Sequence, residues 1–173
     1  MLSNKETKHK KIFLIGLPGS GKSTIGEALS KHIQAPWIDL DAEIEKKMGM
    51  PVAAIFNTTS ETFFREIEHE TFLDFITQDS FVMSCGGGTP CFFNHIEIMK
   101  KQGWVVFINP SVSEIAERLI LEPEKRPLIN ATNINQVIEK VTQLLQFRWP
   151  IYSQAHLETT DFEDLKLKLA HLL

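Results

Sequence analysis

A chain of 173 residues with 43% hydrophobic side chains falls within the usual range for one domain with one sizeable core. Its net charge of −4 leaves no basic surplus for nucleic acid, and its two cysteines, Cys85 and Cys91, are too few for a disulfide framework and lack neighbours at zinc-ligand spacing. No apolar run reaches transmembrane length and the polar opening stretch lacks a secretion signal's apolar segment, so the expectation is a soluble cytoplasmic monomer with a frayed tail over residues 1–11 and a single domain over 12–173.

The first structured element expected is Lys11–Ile15, a β-branched and apolar run suited to a strand buried on both faces. It leads into Gly16-Leu17-Pro18-Gly19-Ser20-Gly21-Lys22-Ser23-Thr24, which fits the phosphate-cradling pattern G-x-x-x-x-G-K-[ST] at every fixed position. Ile25, Ala28, Leu29 and Ile33 then recur at helical spacing, so the loop joins a strand to a helix. In that context the glycines present backbone N–H groups to phosphate oxygens and the helix start adds its positive dipole end. Lys22 is expected to reach the β- and γ-phosphates of a nucleoside triphosphate, and the Ser23 hydroxyl to sit on Mg²⁺.

Residues 35–41 read as a second strand ending in Asp39 and Asp41, whose side chains would point the same way while Ile38 and Leu40 enter the core. Two carboxylates beside a Mg-nucleotide suggest one acid holding metal-bound water and one gripping a substrate hydroxyl; the plainer reading is that either Asp caps the helix expected over 42–48. Residues 49–78 show no strand pattern and read as helices in series. Ser60 opens the longer one, and Arg65 lies between Glu61 at i−4 and Glu68 at i+3, where a surface ion pair is the simplest role.

A third strand over 81–85 runs into Gly86-Gly87-Gly88, a triplet that costs folding entropy and makes sense where backbone must approach a ligand closely. No strand-end Asp for Mg²⁺ stands here, which makes Asp39 the leading metal-side carboxylate. A helix around 92–101 leads to the fourth strand, Trp104–Ile108, and Ser111 with Glu114 forms a capping box for the helix after it. Four charges and two prolines over 121–130 mark a surface loop, and Arg118 before it and Arg126 within it suit a lid. An amphipathic helix over 133–147 should stop at Arg148-Trp149-Pro150, a short strand is expected within 155–159, and Asp161 caps a last helix.

This ordered set resembles the shikimate kinase family. The matching pieces are the phosphate loop at 16–24, Asp-x-Asp-x-x-Ile-Glu at 39–45, Glu-x-x-Phe-Arg-x-x-Glu at 61–68, the triplet at 86–88, Arg-Pro-Leu at 126–128 and Arg-x-Pro-x-Tyr at 148–152. The resemblance implies a three-layer α/β phosphate-loop fold like that of nucleoside monophosphate kinases, with a five-stranded parallel sheet, acceptor-binding helices about residues 42–78 and a mobile lid about 121–132. It also implies transfer of the γ-phosphoryl of ATP, with Mg²⁺, to the 3-hydroxyl of shikimate. Lys22, Asp41 and Arg126 would be catalytic. Gly19, Ser20, Gly21, Lys22, Ser23, Thr24, Arg118 and Arg126 would bind ATP; Asp41, Arg65, Gly86, Gly87, Gly88 and Arg148 would bind the acceptor; Ser23 and Asp39 would hold the metal. Ser60 and Ile129 depart from the family's usual Gly and Leu. The rival readings are a kinase for gluconate or a nucleoside monophosphate, and a nucleotide-binding module without catalysis.

Overall fold

The computed structural model describes residues 11–121 and 133–170. The tail before Lys11 and the lid segment after Leu121, with Arg126, lie outside the described residues. Five parallel strands form one sheet in the order β2-β3-β1-β4-β5: β1 Lys11–Ile15, β2 Trp37–Asp39, β3 Phe81–Ser84, β4 Trp104–Ile108 and β5 Leu157–Thr159. The helices are α1 Lys22–Ile33, α2 Leu40–Met48, α3 Val52–Thr58, α4 Glu61–Ile76, α5 His95–Gln102, α6 Val112–Leu121, α7 Ile134–Tyr152 and α8 Phe162–Leu169.

Strand periodicity divides the core into two. Ile12, Leu14, Val82, Val106 and Ile108 face α1 and α8 through Ile25, Leu29, Leu165 and Leu169. The alternate residues Phe13, Ile15, Phe81, Met83, Val105 and Phe107 face the other helical layer, where Phe64, Phe72, Ile96, Ile115, Val137 and Val141 meet them. Every residue of β1 and β3 is therefore buried, as expected for continuous apolar runs between two helical layers. Lys11 opens β1, as the sequence leads one to expect, and its ammonium donates to Ile76 O at 2.7 Å and to Gln102 Oε1 at 3.1 Å. Among the described residues no helix is long and apolar enough to cross a membrane.

From β1 the chain steps out to β2, returns to β3 beside β1, then crosses to β4 on the far side. The loop after β1 consequently opens where strand order reverses, the usual ligand crevice of such sheets. Ser84, the last residue of β3, ties this crevice together: Trp37 Nε1 donates to its Oγ at 3.1 Å, and that Oγ donates to the carbonyl of Lys22 at 3.1 Å. Gly26 lets α1 come this close, since a Cβ there would lie 2.5 Å from Ser84 Oγ and 2.8 Å from Trp37 Nε1.

Three boundaries differ from the sequence expectation. The second strand stops at Asp39, which caps α2 by accepting from Ala42 N at 3.3 Å, so Leu40 and Asp41 begin a helix instead of ending a strand. The helix expected from residue 92 begins at His95, after a short 3₁₀ turn over Thr89–Cys91. Finally, α7 runs through Pro150 to Tyr152. Pro150 lies in the last turn on an exposed face, where its missing N–H removes a single helical bond, and Ser153 N still reaches Trp149 O at 2.9 Å.

Ser84→Ala is expected to lower stability by about 1–2 kcal/mol, because it leaves Trp37 Nε1 and the Lys22 carbonyl without their shared partner. A urea titration superimposable on that of the unaltered protein would show that Ser84 does not hold α1 in place.

Candidate active site

The phosphate loop acquires its shape from left-handed backbone at Gly19 (φ 80°) and Gly21 (φ 95°), the latter serving as the N-cap of α1. Gly21 offers no side chain to cap α1, and the first-turn N–H groups of a helix have no carbonyl four residues earlier within it. Lys22 Nζ donates to Gly16 O at 3.0 Å and Leu17 O at 2.8 Å, bracing the loop from within. A polar cleft of about 190 Å³ opens here, bounded by the loop and Lys22 to Thr24 on one side and by Asp39, Asp41 and the end of β3 on the other. Ser23 Oγ donates to Asp39 Oδ2 at 2.7 Å, a hydroxyl beside a carboxylate, and hard oxygen donors of this kind suit Mg²⁺. Ser20, although buried, has no hydrogen-bond partner for its Oγ.

Arg118 on α6 stands beside the loop, its Nη1 donating to Gly19 O at 3.3 Å. Leu119 packs on the same loop, so that a Cβ at Gly19 would lie 3.0 Å from Leu119 Cγ.

The glycine triplet follows β3 on the cleft's other side, and its neighbours are the charged side chains singled out from the sequence. A Cβ at Gly86 would lie 2.8 Å from Asp41 Oδ1; one at Gly87, 2.7 Å from Arg148 Nη1; one at Gly88, 2.5 Å from Arg65 Nη2. The triplet thus has a packing purpose that its sequence alone does not disclose. Three residues without side chains admit one carboxylate and two guanidiniums to consecutive positions of a single backbone.

Arg65 is not the surface residue that its helical neighbours suggest. It is 8% exposed, its Nη1 donates to Glu68 Oε2 at 2.6 Å, and Glu68 is 1% exposed. The guanidinium lies 4.3 Å from the Phe92 ring centroid and 5.0 Å from that of Phe64, while its Nε is buried without a hydrogen-bond partner. Thr89 Oγ1 donates to the other oxygen of Glu68 at 2.6 Å. Arg148 sits four residues before Tyr152, whose hydroxyl donates to Gly87 O at 2.5 Å and accepts from Arg148 Nη1 at 3.4 Å. Burial pushes the Tyr152 phenol far up, so it remains neutral. Burial, with Glu68 adding to it, likewise raises the Cys85 thiol well above its ordinary value, leaving it a poor nucleophile despite its place on the cleft.

Asp39, Asp41, Lys22, Ser23, Thr24, Gly86 and Gly87 therefore share one cleft, with Arg65, Arg148 and Gly88 packed at its glycine wall. Glu68, Thr89, Tyr152, Ser84 and Phe92 were not named as site residues from sequence. Glu68 and Tyr152 stood in the quoted motifs, but no local pattern marked Ser84, Thr89 or Phe92.

Strand, glycine loop, lysine and helix in this order, facing the two acids at the junction of β2 and α2, define a phosphate-loop protein of the small-molecule kinase type. The family model for shikimate kinase matches residues 18–170. A shikimate kinase of Bacteroides thetaiotaomicron is 34% identical over 145 residues, 84% of this chain and 83% of its own. The crystal structure of shikimate kinase from that species superimposes with a TM-score of 0.83 at 30% identity, covering 94% of this chain and 96% of that one. The Acinetobacter baumannii shikimate kinase, solved in complex with shikimate, gives 0.84 at 29% identity over 94% and 92%. The chain belongs to the shikimate kinase family.

Gly88 has φ −88° and ψ −21°, which alanine adopts freely, so Gly88→Ala tests the contact with Arg65 and not the backbone. The expected cost is about 1–3 kcal/mol of stability, from overpacking against a guanidinium pinned by Glu68. Made in an Arg65→Ala background, the same change should cost much less. Equal costs in both backgrounds, by urea unfolding, would place the clash elsewhere.

Proposed function

We propose that this protein transfers the γ-phosphoryl of ATP to the 3-hydroxyl of shikimate, giving shikimate 3-phosphate and ADP in the route to chorismate and the aromatic amino acids. The observation that carries this reading is the convergence of Asp41, Arg148 and Arg65 on the successive glycines 86, 87 and 88. A carboxylate for hydroxyls and two guanidiniums for a planar anion match an acceptor that carries both groups.

In this reading Arg65 and Arg148 hold the acceptor carboxylate, with Gly86, Gly87 and Gly88 forming the wall beneath it. Asp41 accepts a hydrogen bond from the 3-hydroxyl, aligns its oxygen on the γ-phosphorus and takes up the proton as the new P–O bond forms and the bond to the β–γ bridging oxygen breaks. The N–H groups of Gly19 through Thr24 cradle the phosphates, and Lys22 exchanges its loop carbonyls for the β- and γ-phosphate oxygens. Ser23 and Asp39 would hold Mg²⁺, which when bound neutralises charge on the phosphate oxygens. Arg118 is assigned to the nucleotide side, and Arg126, outside the described residues, to the transferring phosphate. A monomer working in a reducing cytoplasm accords with the free Cys85 and Cys91.

ADP release from Mg-ATP, followed with shikimate, gluconate and a nucleoside monophosphate in parallel, is expected with shikimate alone; release with only another acceptor would overturn the assignment of Arg65 and Arg148. Lys22→Met should lower kcat by about a hundredfold or more. Arg65→Ala would strand Glu68 as a buried unpaired charge, so Arg65→Lys is the cleaner probe of acceptor binding. It keeps a cation but loses the fork, and a shikimate KM raised by about tenfold or more with ATP KM unchanged is the expected result.

A further inference from the structure

Beneath the glycine wall lies a pair of imidazoles that the reaction does not use. His95, fully buried, directs Nδ1 at the carbonyl of Thr89 at 2.8 Å, and its Nε2 lies 2.7 Å from Nδ1 of His69. A carbonyl can only accept, so His95 carries its proton on Nδ1. Its Nε2 is then the acceptor, and His69 donates from its own Nδ1. The Phe93 ring stacks on His69 at 4.5 Å, and Phe72 lies 4.4 Å from His95.

Three features separate this from a histidine that merely fills the core. The Thr89 carbonyl has little else, since Phe92 N stands at 3.5 Å, and a buried carbonyl without a good donor is costly. The chain enters α5 through two consecutive non-glycine residues with left-handed backbone, Phe93 at φ 48° and Asn94 at φ 58°. For a bulky residue that conformation is unfavourable and persists only where the surroundings demand it. Thr89 is also the residue whose hydroxyl donates to Glu68, which in turn grips Arg65.

We propose that His95, oriented by His69, is a positioning residue for the acceptor site, fixing Thr89 so that its hydroxyl and Glu68 hold the Arg65 guanidinium in place. The line runs His69 Nδ1–H to His95, His95 Nδ1–H to Thr89 O, Thr89 Oγ1–H to Glu68 and Arg65 Nη1–H to Glu68, and every group after His69 is buried. Burial pulls His95 down to about 4, which keeps it neutral at working pH, and the Thr89 carbonyl sets its tautomer. The proposal rests on Arg65 being the ligand of the acceptor carboxylate, and the test keeps the two apart.

Wild-type full-length protein labelled with ¹⁵N should show His95 as the neutral Nδ1–H tautomer at about pH 7, with His69 also protonated on Nδ1. Its buried Arg65 should give a sharp Nε–H resonance. His95→Gln should broaden or shift the Arg65 Nε–H signal and raise the shikimate KM by about tenfold, with kcat and ATP KM within about twofold. Thr89→Val, close in shape but without the hydroxyl, should do the same, and Thr89→Ser, which restores the donor, should recover wild-type values. If His95→Gln does not fold, the threonine pair and the wild-type tautomer still decide. An Nε2–H tautomer for His95, or folded His95→Gln and Thr89→Val proteins with unchanged Arg65 resonance and shikimate KM, would overturn the proposal. Absence of shikimate turnover by the wild type would instead sink the functional reading, while the Arg65 resonance would still report on the positioning line.

Discussion

Everything on the acceptor side of the cleft depends on one steric constraint, the lack of side chains at Gly86, Gly87 and Gly88. Charged groups repel apolar wall and compete for space, so bringing two guanidiniums and a carboxylate onto one short segment requires that the segment contribute only backbone. Each missing Cβ is filled by a different functional side chain, at 2.5 to 2.8 Å from where that Cβ would sit. The sheet supplies the rest of the placement: β3 lies between β1 and β2, so its end faces the phosphate loop and the two acids after β2 together.

That placement brings a desolvation cost which the surrounding residues offset. Arg65 and Glu68 are both buried, and an isolated charge in either position would be strongly unfavourable. Glu68 therefore accepts from two donors, Arg65 and Thr89, while the guanidinium is flanked by Phe92 and Phe64 and leaves its Nε unmatched. A buried donor without a partner carries a desolvation cost that flanking rings offset only in part.

Local signals were legible in the sequence where one element decides the outcome. Ser60 accepts from Phe63 N, Ser111 and Glu114 form their reciprocal pair, and Asp161 accepts from Asp164 N, all as their spacing requires. Strand identity followed equally well from apolar runs, because two helical layers leave no polar face to obscure the period. Misreadings arose where tertiary partners override local preference. Asp41 reads as the end of a strand and lies in the first turn of a helix, which Asp39 caps, as one of the two readings of these acids has it. Pro150 looked like a stop, but the helix continues two residues past it and so brings Tyr152 into register with Arg148. The pairing of His69 with His95 spans 26 positions and three elements, and nothing in a one-dimensional pattern could supply it.

The two arginines at the glycine wall are built differently. Arg65 shares its charge with Glu68 at 2.6 Å, so its contribution is chiefly a fixed, oriented set of donors. Arg148 is half-buried and contacts a phenol that burial keeps neutral, so its charge is not compensated there. Around the triplet two guanidiniums stand among three carboxylates, since Arg65 also reaches the exposed Glu61 at 3.4 Å and Asp41 stands one residue further along at Gly86. The carboxylates that the triplet gathers lie with Arg65 and at Gly86, while Arg148 meets the Tyr152 hydroxyl, so the two guanidiniums present their donors unequally engaged.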